Sequence, residues 1–250
     1  MTGELTIIVP VYNEEGSLPG FKVEMDKFLD ASPIPSQVLF VNDGSTDGSV
    51  SIIQSICRQD DRYDHISMTK NCGLSTAIKA GIDYISTPLT GYIDADLQTS
   101  PSDFHRYLPY LDRYAMVNGI RVKRHDGLVK RLSSRIANAF RRSVIHDGIA
   151  DTCCPLKIIS SDYAKKIPFF KGMHRFIPAL VQLQGGKVKQ IDVNHFERFA
   201  GTPKYHFWNR LTGPFIDTIA FIWIRKRYIN YEIMDEIMTT SYKRKDAASV

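Results

Sequence analysis

A chain of 250 residues with 43% hydrophobic and 24% charged residues has ordinary globular composition and can fill a core without disulfide staples. Its 32 basic and 27 acidic residues leave a net charge of +5, mild enough that the distribution of charge matters more than the sum. The four cysteines, at 57, 72, 153 and 154, contain no CxxC pair and no zinc spacing, which excludes a zinc ribbon and reads as reduced thiols of a cytosolic protein.

The opening MTGELTIIVPVYNEE lacks the basic n-region and apolar core of a signal peptide. No apolar run approaches the ~20 residues that span a bilayer, so a soluble or peripheral protein is expected.

In chain order, LTIIVPV (5–11) is a short β-branched run and predicts a buried strand. A helix is expected over roughly 14–30, closed by SPIPS. QVLFVND (37–43) predicts a second strand, and GSTDGS then opens a helix to about residue 60. HISMT (65–69) predicts a third strand. GLSTAIKAGIDYI (73–85) predicts a helix with Gly73, Ala77 and Gly81 at four-residue spacing, a small-residue stripe that lets it lie close to a sheet. TGYIDAD (90–96) is the expected fourth strand and YAMVNGI (114–120) the fifth. Strand–helix alternation with short connections implies an α/β fold with a mostly parallel central sheet and helices on both faces.

After residue 120 the pattern changes. Over 128–145, Leu128, Leu132, Ile136, Phe140 and Val144 recur every fourth residue, with Arg131, Arg135 and Arg142 on another face, which predicts an amphipathic helix. CCPLKIIS and KVKQIDVNH read as strands flanking a helix near 174–185. From 214, PFIDTIAFIWIRKRY is strongly apolar and then strongly basic, which is the pattern of an interfacial or a core helix.

Three polar clusters fall at the predicted carboxyl ends of strands, where a parallel α/β sheet binds ligands. They are Pro10-Val11-Tyr12-Asn13-Glu14, Asn42-Asp43-Gly44-Ser45 and Asp94-Ala95-Asp96. Each alone is compatible with turn and cap chemistry; together, at one edge of one sheet, they point to a site. No G-x-G-x-x-G follows the first strand and no P-loop occurs, so a diphosphate needs another holder. A divalent cation bridging carboxylates and phosphate oxygens is the usual alternative. Asp94, Asp96 and Gln98 form an oxygen-only ligand set, which favours Mg2+ or Mn2+ over Zn2+. From Arg121 to Arg142 there are eight Lys or Arg against one acid, Asp126. No nucleic-acid-binding module accompanies them, and fixed cations of this kind suit an acceptor phosphate.

VPVYNEE, VNDGSTDGS, KNCGLSTAIKAG and YIDADLQTSP, in this order, resemble the family 2 glycosyltransferases of GT-A fold. DADLQ with NGIRV, SSRIAN, DTCCPLK and RFAGTPKY is similar to the polyprenyl-phosphate, dolichol-phosphate mannose synthase-like branch, over roughly residues 5–205. The resemblance implies a glycosyltransferase domain over 1–212, with a donor half to about 120 and an acceptor half beyond it, then an apolar and basic helical segment over 213–250. It implies a UDP- or GDP-sugar donor, a polyprenyl-phosphate acceptor, Mg2+ or Mn2+, and a cytoplasmic enzyme peripheral on the inner face of the membrane. A homo-oligomer or a membrane-protein partner is left open; no nucleic acid is expected.

By position, the resemblance implies that Pro10, Tyr12, Asn13 and Glu14 line the nucleotide pocket and that Asp43 contacts the base. It places Asp94 by the ribose or the metal, and makes Asp96 and Gln98 metal ligands. Arg121 and Arg135 would hold the acceptor phosphate, Asp151 would lie beside the reacting centre, and Arg198 and Lys204 would close over the diphosphate. Asn42, Cys154-Pro155 and Pro203 depart from the family pattern. Two other readings keep the donor site: a glycosyltransferase with a saccharide acceptor, and a non-catalytic nucleotide-sugar-binding subunit.

Overall fold

The computed structural model describes residues 3–122, 144–197 and 212–231. Its centre is a seven-stranded sheet: β1 (Leu5–Val11), β2 (Ser36–Asn42), β3 (Tyr63–Ser67), β4 (Leu89–Tyr92), β5 (Met116–Val122), β6 (Lys157–Ser160) and β7 (Val188–Asn194). The spatial order is β3-β2-β1-β4-β6-β5-β7. β1 pairs parallel with β2 and β4, β2 parallel with β3, and β5 parallel with β7. β6 runs antiparallel to both of its neighbours, β4 and β5, and is the exception that makes the sheet mostly rather than wholly parallel.

The helices α1 (Leu18–Ala31), α2 (Ser49–Gln59) and α3 (Leu74–Tyr84) are the crossovers of the first four strands. Beyond them come α4 (Ser161–Lys165), α5 (Ile177–Leu183) and α6 (Thr212–Arg227). β1 shows why its sequence is a continuous apolar run. Ile7, Val9 and Val11 enter the core layer shared with Phe21, Met25 and Phe28 of α1, while Ile8 enters the opposite layer with Ala77, Ile78 and Ile82 of α3. A strand covered on both faces has no side to expose, and each such side chain contributes about 1.5–3 kcal/mol by burial.

The small-residue stripe of α3 has the expected role. A Cβ at Gly81 would lie 2.7 Å from Ile8 Cγ2, so only glycine lets α3 pack this close to β1. At β4 the expected strand over 90–96 is too long. The strand ends at Tyr92, and the chain turns out of the sheet through Asp94, Ala95 and Asp96. The Asp96 carboxylate accepts the Gln98 N–H (3.1 Å) and so builds a local side-chain turn, with Leu97 held left-handed at φ 58°.

Of the amphipathic helix expected over 128–145, only Val144 and Ile145 lie within the described residues. α6 is seated on the domain. Phe221 is buried and stacks on Phe176 (centroids 5.3 Å apart, planes at 10°), and Arg225 Nη1 donates to the carbonyls of Val144 and Ile145. Its other side exposes Phe215, Ile216, Ile219 and Trp223. No helix among the described residues is long and apolar enough to cross a membrane.

Candidate functional site

Because β1, β2 and β4 are mutually parallel, their carboxyl ends meet at one edge of the sheet. There they open a cavity of about 790 Å3. Six residues nominated from sequence line it: Pro10, Tyr12, Glu14, Asp43, Asp94 and Asp96. The far wall comes from segments that sequence reasoning did not nominate. These are the entry to α3 (Asn71 to Ala77), the loop bearing Lys171, Gly172, His174 and Arg175, and Asp217 of α6.

Each acid at the sheet edge is held differently. Asp43 accepts the backbone N–H groups of Cys72 (2.7 Å) and Gly73 (2.9 Å), one on each carboxylate oxygen. It thereby fixes the entry to α3 against the end of β2, satisfying amides that open a helix. Glu14 accepts from Ser17 Oγ (3.0 Å), and its N–H donates to Ser49 Oγ (2.8 Å). Asp94 accepts from the Tyr92 hydroxyl (2.8 Å). Burial, and then the neighbouring Asp96, push the Asp94 carboxyl up to about 6, while the Tyr92 bond, Arg121 and Lys157 pull it down.

Under this pair lies a row of polar side chains on three adjacent strands. Tyr92 on β4 is opposite Lys157 on β6, which is opposite Asn118 on β5. Residues directly opposite one another share a face of a sheet. The Lys157 ammonium is fully buried, donates to the Cys154 carbonyl and lies 5.9 Å from the centroid of the Tyr92 ring. Burial lowers its pKa, against the pull of Cys154 and Asp151. Asn118 Nδ2 donates to the Asp151 carbonyl (2.9 Å) and so anchors the segment carrying Asp151.

Other nominated residues fall outside the cavity lining. Asn13, left-handed at φ 52°, turns its side chain to the β2–α2 loop, where its Oδ1 accepts the Thr46 N–H (2.8 Å). It ties two loops together. Gln98 contributes its backbone N–H to Asp96 and accepts the Phe196 N–H at its carbonyl. Arg121 and Asp151 are paired with each other: Nε to Oδ2 is 2.8 Å and Nη2 to Oδ1 is 3.0 Å. Burial opposes the Arg121 charge, but Asp151 outweighs it and the Arg121 pKa is raised. Arg135, Arg198 and Lys204 lie outside the described residues.

The far wall is stitched together by long-range contacts. Ser75 Oγ and His174 Nδ1 are 2.8 Å apart, and the Gly172 N–H donates to the same Ser75 Oγ (3.0 Å). Burial, with Arg175 and Lys157 nearby, pushes His174 down to about 3, so the ring is neutral. Arg175 Nη1 pairs with Asp217 Oδ2 at 2.8 Å. Gly172 has φ 95°, and a Cβ there would collide with the Asp217 carboxylate, which explains a glycine where the loop meets α6. The sequence did carry a signal: Asp217 is the only acid between Glu197 and Glu232, set within an apolar run.

The family model for glycosyl transferase family 2 matches residues 6–168. An undecaprenyl-phosphate 4-deoxy-4-formamido-L-arabinose transferase from Pectobacterium carotovorum is 30% identical over 208 residues, covering 81% of this chain and 63% of that protein. The chain therefore spans less than two thirds of the length of this curated relative. In structure it is similar to a mannosyltransferase from Pyrobaculum calidifontis solved with GDP-Man and Mn2+ (TM-score 0.63, 16% identity, 89% of this chain and 65% of that one). It is also similar to glucosyl-3-phosphoglycerate synthase from Mycobacterium tuberculosis solved with Mn2+, UDP and glucosyl-3-phosphoglycerate (TM-score 0.66, 13% identity, 89% and 80%). The shared architecture is the GT-A fold, as the sequence motifs led one to expect.

Proposed function

This chain belongs to glycosyl transferase family 2, and from that premise we propose that it transfers a sugar from a UDP- or GDP-sugar to a polyprenyl phosphate, inverting the anomeric centre, with Mg2+ or Mn2+. The observation that carries this reading is the crowding of Asp94 and Asp96 at the floor of the cavity. Burial first, and then the charge of Asp96, raise the Asp94 pKa, and a divalent cation between the two carboxylates would relieve both. Their donors are all oxygen, as Mg2+ and Mn2+ prefer. Among the described residues no group of three or more His, Cys, Asp or Glu gathers to cage a metal. That fits an ion held by one or two carboxylates and completed by phosphate oxygens and water. When bound, the cation would neutralise charge on the departing nucleoside diphosphate.

The rest falls to the protein. Pro10, Tyr12 and Glu14 form one side of the donor pocket, and Asp43 fixes its rim by holding the α3 entry. The acceptor nucleophile is a phosphate oxygen, already largely anionic at neutral pH because its second ionisation lies near ~6, so no strong base is required. Asp151 then acts as the orienting partner of Arg121. By the family resemblance, Arg135 joins the acceptor side and Arg198 and Lys204 the diphosphate side. Catalysis is mainly alignment of two anions that would otherwise repel.

The acceptor class is supported by the undecaprenyl-phosphate relative and by α6. Its exposed Phe215, Ile216, Ile219 and Trp223, ahead of Arg225, Lys226 and Arg227, suit a helix lying in an anionic lipid surface, here placed on the inner face of the membrane. The test is mass-detected transfer from a panel of UDP- and GDP-sugars, with each divalent ion, to undecaprenyl phosphate or to free saccharides. Lipid-linked product supports the reading; product on saccharides alone replaces the acceptor, and donor binding without any product removes the enzyme.

A further inference from the structure

The cavity is bipolar. Glu14, Asp43, Asp94 and Asp96 face it from the sheet edge, and Lys171 and Arg175 are the only cations among its described lining residues. His174 stands with them but is neutral. The proposed reaction brings two anionic groups together. One can be met at the acidic edge through a cation, but the second needs fixed positive charge. Arg121 has its Nε–Nη2 edge committed to Asp151 and does not line the cavity.

Arg175 is differently placed. Among the described residues its guanidinium makes one hydrogen bond, from Nη1 to Asp217, which leaves other donors of its fork for a ligand. Lys171 is exposed at the cavity and has no ion-pair partner among the described residues. We infer that Lys171 and Arg175 form the seat of the acceptor's phosphate monoester, and that Asp217 holds Arg175 in its place until that phosphate arrives. This rests on the reading of the chain as a phosphate-acceptor glycosyltransferase. A phosphate monoester is the stronger partner: it carries up to two charges and can accept two parallel N–H bonds from a guanidinium. Asp217 is a reluctant partner, since burial raises its pKa against the pull of Arg175.

The position of Asp217 also selects the kind of phosphate. It sits in the first turns of α6, beside the exposed Phe215, Ile216 and Ile219. An isoprenoid tail leaving the seat along this helix would cover them, whereas a soluble phosphate ester would leave them exposed.

The test is calorimetric titration of the full chain with farnesyl phosphate, farnesol and glycerol 3-phosphate, alongside R175Q, K171Q and D217N. Wild type should bind farnesyl phosphate, with R175Q and K171Q each weakening it about ten-fold, as expected for loss of a charge-assisted contact. D217N should tighten binding, because it removes the competing carboxylate. A merely structural ion pair predicts the opposite, weakening in D217N as in R175Q, and would overturn the inference. K171Q, outside that pair, keeps the test decisive if R175Q does not fold. Farnesol binding as well as farnesyl phosphate would overturn the phosphate seat, and equal affinity for glycerol 3-phosphate would overturn the lipid. If the phosphate binds as described but no sugar is transferred, the proposed function fails while the seat stands. If transfer occurs with an unchanged acceptor KM in R175Q and K171Q, the seat fails while the function stands.

Discussion

Arg121 and Asp151, thirty residues apart, meet as a two-pronged ion pair with N–O distances of 2.8 and 3.0 Å, and the Arg121 backbone N–H adds a third bond to the same carboxylate. The pair joins β5 to the segment ahead of β6 and is nearly enclosed, with side chains 16% and 5% exposed. Removing Asp151 takes away the carboxylate that all three Arg121 bonds share. Asp151→Ala is expected to cost about 3–5 kcal/mol of stability in urea denaturation, and the double change to Arg121→Met, Asp151→Ala clearly less. Equal loss in the single and double variants would mean that the pair is not what holds this corner.

Lys157 should behave in the opposite way. Its ammonium is fully buried, and among the described residues it donates to the Cys154 carbonyl alone. Lys157→Met keeps the volume and removes a desolvated charge, so the fold should be within about 1 kcal/mol of wild type or more stable. Asp94 loses a nearby positive charge in the same change, so sugar transfer should fall. Thermal melts and transfer rates on the same preparation check both; a collapsed fold would make Lys157 a structural residue.

Asp94 and Asp96 repel one another at the cavity floor. In metal-free protein near neutral pH, Asp96→Asn should raise the melting temperature slightly, because it relieves that repulsion. Mn2+ should raise the melting temperature of wild type, as any ligand of the folded state does, and leave Asp96→Asn almost unchanged. An equal shift in both proteins would place the ion elsewhere.

His174 gives the fold an acid-side weakness. Its pKa is pushed down to about 3 by burial, Arg175 and Lys157, against 6.5 for the ordinary side chain. A depressed histidine contributes stability that is complete above pH 6.5 and lost as pH falls toward 3, because the unfolded chain takes up the proton first. The loss attributable to this residue should reach roughly 3 kcal/mol at pH 4. His174→Gln should show a flatter stability profile between pH 6.5 and 4 in denaturant titrations. Parallel profiles would mean that the ring is solvated and titrates normally.

What could be read from sequence was local. β1 and β2 are buried on both faces, so their apolar runs are continuous and end where polar cavity residues begin. The α3 stripe shows itself because close packing on Ile8 leaves room only for small side chains. The Asp94–Asp96 turn was read as strand because its apolar approach through Tyr92 and Ile93 gives no sign of where pairing stops. Of the far wall of the cavity only Asp217 left a mark, as a lone acid in an apolar run; its partner and the other contacts did not. Ser75 meets His174 across 99 residues and Arg175 meets Asp217 across 42, and such pairings leave no periodic trace. Asn13 was placed in the pocket by its motif, whereas its left-handed backbone turns the side chain to Thr46.

The most direct measurement is mass spectrometry of lipid-linked product after incubating the protein with undecaprenyl phosphate, nucleotide sugars and Mn2+, with Asp96→Ala in parallel. Wild type is predicted to form the glycosyl-phosphoryl lipid, and the variant to lose most of that product while still folding. No lipid product from wild type with any donor, or undiminished product from Asp96→Ala, would contradict the account.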